Sequence, residues 1–179
     1  MYTGTNPTAL RSQSVIADAT IELMKKKAFE KISVKEICRA ADLSRQTFYG
    51  FFSSREAVIR YCIKQRLLNI PKQIDVLDRN RIDGYFRTYI AGNKPFLNLL
   101  GKNRLGSQLA EELSDSLNEM EENLDPGGDK NSRRIANAFL SSALVSSFLV
   151  WADEEVKMSD QEFIDLIYQI IRGRYFKIE

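Results

Sequence analysis

The sequence predicts an all-α protein with a compact helical unit at its N-terminus and a larger helical region behind it. Apolar residues recur at intervals of three and four along the chain, without a convincing alternation of the kind found in half-buried strands. Helix-capping signals cluster between residues 6 and 56, and another opens at Ser159. Most of the four prolines and nine glycines lie where helices should end.

Four helices are predicted in the first third of the chain. The first should span 6–27, because an asparagine suited to capping precedes a proline of the kind favoured in a first turn. Residues 33–36, a capping-box pattern, open a short second helix. Residues 41–44 form a turn before a very short third helix, and a second capping-box pattern at 53–56 starts a fourth helix through Leu67.

The second half is also predicted to be helical but has fewer sharp boundaries. Further helices are expected over 82–91, 95–100, 105–124, 135–152 and 160–172. An apolar seam of leucines lies opposite an acidic run, which we expect to be a solvated face. That run consists of Glu111, Glu112, Asp115, Glu119, Glu121 and Glu122.

Composition and charge narrow the function classes. The 179 residues are 44% hydrophobic and 28% charged, as in ordinary globular proteins. Residues 1–53 hold eight Lys/Arg against five Asp/Glu, whereas the rest hold 18 against 19, so a modest positive lobe lies beside a neutral body. No histidine occurs, and Cys38 and Cys62 stand far apart, so we expect no catalytic residue, metal site or cofactor.

We expect a cytoplasmic protein. The first residues lack the basic-then-apolar pattern of a signal peptide. Residues 135–152 carry no charge, but they include one asparagine and four serines, so we predict a helix buried in protein rather than in a membrane.

The segment from Ser33 to Phe52 has the dimensions of a helix-turn-helix. Such a unit must present the outer face of its second helix to the major groove. The positions that point outward are Arg45, Gln46 and Tyr49, with Thr47 near the edge. Arginine can bind guanine through two hydrogen bonds and glutamine can do the same with adenine, so the face suits DNA.

Residues 16–59, which include this segment, resemble the DNA-binding domain of the tetracycline-repressor (TetR/AcrR) family. The family's pattern has an aromatic after the first helix, an Ala-Gly-Val-Ser-like turn, a Leu-Tyr-x-His-Phe-like stretch and a Lys-Glu-Ala-Leu-like helix start. Here those places hold Phe29, 41–44, 48–52 and 55–58. The resemblance implies a homeodomain-like three-helix unit, residues 1–53, followed by a helical ligand-binding and dimerisation domain, residues 54–179.

Three positions depart from the family's pattern. Asp42 replaces the usual turn glycine, and aspartate tolerates a left-handed backbone better than most residues. Phe51 replaces a histidine that often contacts phosphate in the family, so we expect that contact to be lost and Phe51 to pack. Arg55 replaces a lysine and keeps its charge. Carried over by resemblance, the expected DNA contacts are Ser33, Ser44, Arg45, Gln46, Thr47, Tyr49 and Arg55.

The resemblance also implies a homodimer joined through the last two helices. The final helix supports this, because it is apolar on more than one side and needs two burial surfaces. The candidate interface residues are Phe139, Ala143, Phe163, Ile167 and Ile170. A small-molecule effector of unknown class is implied as well, with Tyr85, Phe86, Tyr89, Phe96 and Trp151 as candidate pocket residues.

The expected function is sequence-specific binding to a near-palindromic double-stranded operator by a repressor that a small-molecule ligand releases. Activation of transcription, instead of repression, remains an alternative. A second alternative is a helical adaptor of the same architecture that acts on a protein partner, through the acidic face between residues 111 and 125.

Overall fold

The computed structural model describes residues 6–68, 83–84, 86–119, 129–172 and 174. These residues form eight α-helices and no strand, which confirms the all-α prediction. The helices are α1 (Pro7–Met24), α2 (Val34–Ala40), α3 (Arg45–Phe51), α4 (Arg55–Leu67), α5 (Lys94–Lys102), α6 (Gly106–Glu119), α7 (Lys130–Ala152) and α8 (Asp160–Ile171). Shorter helical turns lie at Phe29–Lys31, Phe86–Ile90 and Ala91–Asn93.

Side-chain caps fix where the helices begin. Both capping boxes at Ser33 and Ser159 are confirmed. Each serine side chain accepts a hydrogen bond from the backbone N–H of the third helical residue, and the serine's own N–H donates to the carboxylate of that residue. The box predicted to start at Ser53 is wrong by one residue. Ser54 caps α4 instead, accepting the Ala57 N–H at 3.2 Å, since its backbone is extended directly before the first turn.

The first four helices share one apolar core. Helix α1 packs against α2 and α4, and α2 packs against α3. Ile16, Ile37, Phe48 and Val58, one from each helix, are 0% exposed. Because every helix contributes a fully buried side chain, α3 is anchored by packing rather than by its own short length.

Helix α4 also reaches into the second half of the protein, where it packs against α6. Helices α5 and α6 both pack against α7. The rings of Phe86, Trp151 and Phe163 form an aromatic cluster, with Trp151 and Phe163 stacked at a centroid distance of 4.9 Å. One core therefore runs from the N-terminal unit into the body through α4.

The acidic face of α6 is solvated only in part. Glu111, Asp115 and Glu119 are exposed as expected, whereas Glu121 and Glu122 lie outside the described residues. The prediction is wrong for Glu112, which is 3% exposed. Two cations of α4 explain this, because Lys64 Nζ lies 3.1 Å and Arg60 3.7 Å from its carboxylate.

Helix α7 has an outer face that is exposed in the described part of the protein. Ile135, Phe139 and Val150 are 72%, 76% and 64% exposed. Within the described part of the chain, α7 is long and apolar enough to cross a membrane. This is weak evidence for a membrane span, because the core helix of a soluble protein has the same length and composition. The inner face of the helix is buried, as expected, but its outer face is exposed in the described part of the protein.

Candidate nucleic-acid interface

A sharp turn aims α3 away from α2. Asp42 has φ 53°, the left-handed backbone that the family's glycine would favour, so aspartate keeps the turn as predicted. The Leu43 N–H donates to the Cys38 carbonyl at 3.0 Å, and Ala41 is 7% exposed where the two helices approach. The turn is thus closed by backbone hydrogen bonds and a small side chain.

Helix α3 has a buried face and an open face. Phe48 and Phe52 are 0% exposed and hold the helix on the core, while Arg45, Gln46 and Tyr49 are exposed. Tyr49 is 57% exposed, and its ring meets Phe48 edge-on at 5.4 Å. The predicted DNA-reading side chains therefore share one accessible edge on a rigid support.

Two hydroxyls fix the first turn of α3. Ser44 Oγ accepts the Thr47 N–H at 3.0 Å and lies 2.8 Å from Thr47 Oγ1. Ser44 is exposed and Thr47 half-buried, so both remain at the rim of the open face. Their first role in the structure is to orient the turn that carries Arg45 and Gln46.

A shallow cleft of about 400 Å³ brings together three of the predicted contacts. Ser33, Tyr49 and Arg55 all line it, although they come from three different helix starts or faces. Lys31 lines the same cleft and is exposed, a cation that the sequence analysis missed. Its signal was present, since it stands two residues before the capping Ser33.

Arg55 is held mainly by the protein itself. Its Nη1 donates to the carbonyls of Phe29, Glu30 and Ile32 at 2.9, 2.9 and 2.6 Å. The guanidinium also lies over the Phe29 ring, 4.9 Å from its centroid. Its Nε pairs with Glu56 at 2.8 Å. Arg55 is therefore first a brace between α4 and the turn before α2, and any phosphate contact must use the rest of the guanidinium.

A carboxylate lies close to the other candidate phosphate ligand. Ser33 Oγ donates to Glu36 Oε2 at 2.8 Å, and Lys27 forms a short hydrogen bond with Glu36. Bonds from Lys27 and then from Ser33 lower the pKa of Glu36 to about 2. The carboxylate is thus ionised near the helix start, and Lys27 offsets its charge.

The residues proposed for an effector pocket are buried or half-buried where the structure describes them, and Phe86 packs against Trp151. Tyr85 lies outside the described residues, and Tyr89 is half-buried. Phe86, Phe96 and Trp151 are at most 6% exposed in the core. A second surface cleft, about 660 Å³, lies between α5 and the segment joining α7 to α8, and none of those residues lines it.

The five predicted interface residues divide into two groups. Phe139, Ala143 and Ile170 are exposed, and Ile167 is half-buried. Phe163 is 3% exposed because it stacks on Trp151 and Phe86, so its assignment to the interface is wrong for this conformation. Phe51 is half-buried against the core, as expected for a phenylalanine at the family's histidine position.

Comparisons with known proteins match this geometry. Residues 16–62 match the family model for bacterial regulatory proteins of the tetR family. Over 50 residues, 28% of this chain and 27% of the relative, the sequence is 38% identical to the HTH-type dhaKLM operon transcriptional activator DhaS of Lactococcus lactis. That match thus spans little more than a quarter of the relative's length.

Two solved structures share the architecture over nearly the whole chain. A dihydroxyacetone kinase operon activator DhaS aligns with a TM-score of 0.54 and 18% identity, covering 91% of this chain and 93% of its own. FadR of Thermus thermophilus, a TetR-family transcriptional repressor solved with lauroyl-CoA, aligns with a TM-score of 0.54 and 19% identity, covering 93% and 96%. At these identities the likeness establishes the fold.

The N-terminal fold and the open edge of α3 define a helix-turn-helix protein. Over residues 16–62, the N-terminal unit matches the tetR family of bacterial regulatory proteins.

Proposed function

We propose that the protein is a sequence-specific transcription regulator that inserts α3 into the major groove of an operator. The observation that carries the proposal is the exposed polar edge of α3, formed by Arg45, Gln46 and Tyr49 on a fully buried backing. Residues 1–53 then serve as the DNA-binding unit, and residues 54–179 regulate and dimerise it.

Each side chain on that edge has a role suited to its chemistry. Arg45 stands at the first position of α3 and reads guanine through its two parallel donors, while Gln46 reads adenine. Tyr49 and Thr47 carry hydroxyls that reach phosphates beside the groove. Ser44 orients this turn and adds a hydroxyl at its rim.

The cleft beside α3 supplies the contact with the DNA backbone. Lys31 faces it with an exposed ammonium, and Ser33 and Tyr49 add hydroxyls. Glu30 and Glu56 also line the cleft, and Glu56 offsets the charge of Arg55, so the phosphate contact falls mainly to Lys31 and the hydroxyls. Phosphate contacts of this kind set the register of the protein on the duplex without reading its sequence.

Dimerisation would cover the open face of α7. Ile135, Phe139 and Val150 line that face at both ends, with Ala143 between them, and Ile170 is a further exposed apolar side chain on α8. Apolar side chains exposed to this degree on two neighbouring terminal helices are the composition of a subunit interface. A two-fold dimer would read two half-sites of a near-palindromic operator.

The proposed sign of regulation is repression, because a dimer bound across a promoter blocks access of the polymerase. The similar proteins carry both signs by name, since DhaS is an activator and FadR a repressor. Release by a small molecule is part of the proposal, and FadR's complex with lauroyl-CoA supports it for this fold. Such a molecule would have to separate the packed rings of Phe86 and Trp151 or bind elsewhere in the body. A DNA-binding regulator of this class works in the cytoplasm.

Selection of genomic DNA fragments by the purified full-length protein tests the proposal. We expect enrichment of a short, nearly palindromic sequence with two equivalent half-sites. Placing the enriched site over a promoter should lower transcription in vitro when the protein is added. Recovery of fragments without any shared motif would contradict DNA reading and favour the adaptor alternative. Native mass spectrometry of protein purified from cells tests for a bound effector by its added mass.

A further inference from the structure

One turn in the DNA-binding unit is capped by a residue from the body. The turn Phe29–Lys31 lies between α1 and α2, and its own preceding residue, Ala28, has no side-chain acceptor for the free N–H groups. The Phe29 N–H donates instead to Oδ1 of Asn103, at 2.7 Å, from 74 positions along the chain. Asn103 is the residue that ends α5.

The capping amide is itself held in one orientation. Asn103 Nδ2 donates to the Leu99 carbonyl at 2.9 Å, and the Asn103 N–H reaches the same carbonyl at 3.1 Å. Because Nδ2 has an acceptor and Oδ1 has a donor, the two ends of the amide are distinguished. The chain then leaves α5 through Arg104 in the left-handed conformation, φ 58°. Asn103 is therefore a rigid extension of α5.

The opposite end of the same turn is held by Arg55, whose guanidinium donates to the Phe29 and Ile32 carbonyls. Ile32 is followed directly by Ser33, the cap of α2. The turn is thus fixed at its N–H end by α5 and at its carbonyl end by α4. A rotation of the DNA-binding unit about α4 that moves this turn away from α5 breaks the bond between Phe29 and Asn103.

We propose that Asn103 is a positioning residue that sets the angle between the DNA-binding unit and the body, and thereby the half-site spacing that the dimer accepts. The inference rests on the proposed function. A two-fold dimer fixes the distance between its recognition helices through the attachment of each unit to its body, so half-site spacing follows from that geometry. With the bond to Asn103 removed, the unit keeps its base-reading edge but loses the hydrogen bond that ties its turn Phe29–Lys31 to α5.

The test uses full-length protein and duplexes built on the operator that the parent selects, with the spacer between half-sites unchanged or altered by one or two base pairs. Asn103→Ala removes the acceptor, whereas Asn103→Asp retains an acceptor for the Phe29 N–H. Asn98→Ala is the matched control, because Asn98 is also on α5 but bonds to Glu154. The Phe29 amide is followed by hydrogen exchange in each protein.

We expect the Phe29 amide of Asn103→Ala to exchange about tenfold faster than in the parent. Its preference for the native spacer should fall about tenfold, while its discrimination against a substituted base inside a half-site stays at the parent level. Asn98→Ala should behave like the parent on both counts. Asn103→Asp keeps an acceptor for the Phe29 N–H but loses the donor to the Leu99 carbonyl, so it should lie between the parent and Asn103→Ala. Asn103→Gln moves the amide outward by one methylene and should also lower the spacer preference, which gives a second reading if the alanine variant folds poorly.

Retention of the parent's spacer preference by both Asn103→Ala and Asn103→Gln would overturn the inference. An equal fall in spacer preference and base discrimination would overturn it as well, because that pattern means general loss of structure. A parent protein that selects no two-part site would overturn the proposed function together with this inference. If the parent selects a two-part site but the Asn103 variants keep its spacer preference, only this inference is overturned.

Discussion

Replacing Arg55 with methionine should destabilise the protein even before DNA is considered. The substitution keeps most of the aliphatic stem but removes one donor from each of three carbonyls. Of the two that are partly buried, the Phe29 carbonyl still accepts the Ile32 N–H at 2.9 Å, whereas the Ile32 carbonyl loses the guanidinium. A polar group left unsatisfied inside a protein costs about 1–3 kcal/mol. Lost cation–π contact with the Phe29 ring adds about 0.5–1 kcal/mol. Water can reach the exposed carbonyl of Glu30.

We therefore expect Arg55→Met to lower the free energy of unfolding by about 3 kcal/mol, measured by urea denaturation at one fixed protein concentration. Arg55→Lys should recover only part of the lost free energy of unfolding. It keeps a charged donor, but one ammonium cannot serve three carbonyls from the same position. Arg87→Met is the control, since Arg87 is exposed and bonds only to Gln161 in the described chain. A loss no larger than the control's would refute the bracing role of Arg55.

Three further predictions test other parts of the account. Phe139→Glu should weaken dimerisation by about 30-fold or more in sedimentation equilibrium, because it replaces the most exposed phenylalanine of the proposed interface with a charge, whereas Val15→Glu, an exposed apolar control on α1, should not; equal effects would argue against the α7 interface. Asp42→Gly should raise the free energy of unfolding by about 0.5–1 kcal/mol, because glycine adopts φ 53° without strain, and a loss would show that the aspartate contributes more than its backbone. The Glu36 carboxyl should titrate near pH 2 by NMR, and its pKa should rise toward 4.5 in Lys27→Met. Its contribution to the free energy of unfolding, fully present above pH 4.5, should disappear as the pH falls through 2. An unchanged midpoint in the variant would exclude Lys27 as the main cause of the low pKa.

The local signals in the sequence predicted the helices and turns of the N-terminal unit well, because caps and turns depend on residues close together in the chain. A capping box needs only Ser33 and Glu36, and a tight turn needs only a residue that tolerates Asp42's left-handed backbone. Outward positions of α3 follow from helical periodicity once Phe48 is taken as the buried side. These inferences required no knowledge of what lies across the core.

Contacts between distant segments could not be predicted in the same way. Glu112 belongs to an acidic run by sequence, but two cations of α4 lie across it in the fold. Phe163 was one apolar residue among several on α8, and only the stacking on Trp151 shows that it is in the core. The bond from Asn103 to the Phe29 N–H joins two positions with no shared pattern. Periodicity states that a face is buried, not what buries it.

The most direct test of the central claim is a base-by-base binding profile of Arg45→Ala against the parent on the selected operator. The account predicts a loss of discrimination of about 1–3 kcal/mol at one base position in each half-site, with the other positions unchanged. Arg87→Ala, a matched removal of an exposed arginine in the body, should leave the whole profile intact. An Arg45→Ala profile that matches the parent at every position would contradict the claim that α3 reads DNA through its open edge.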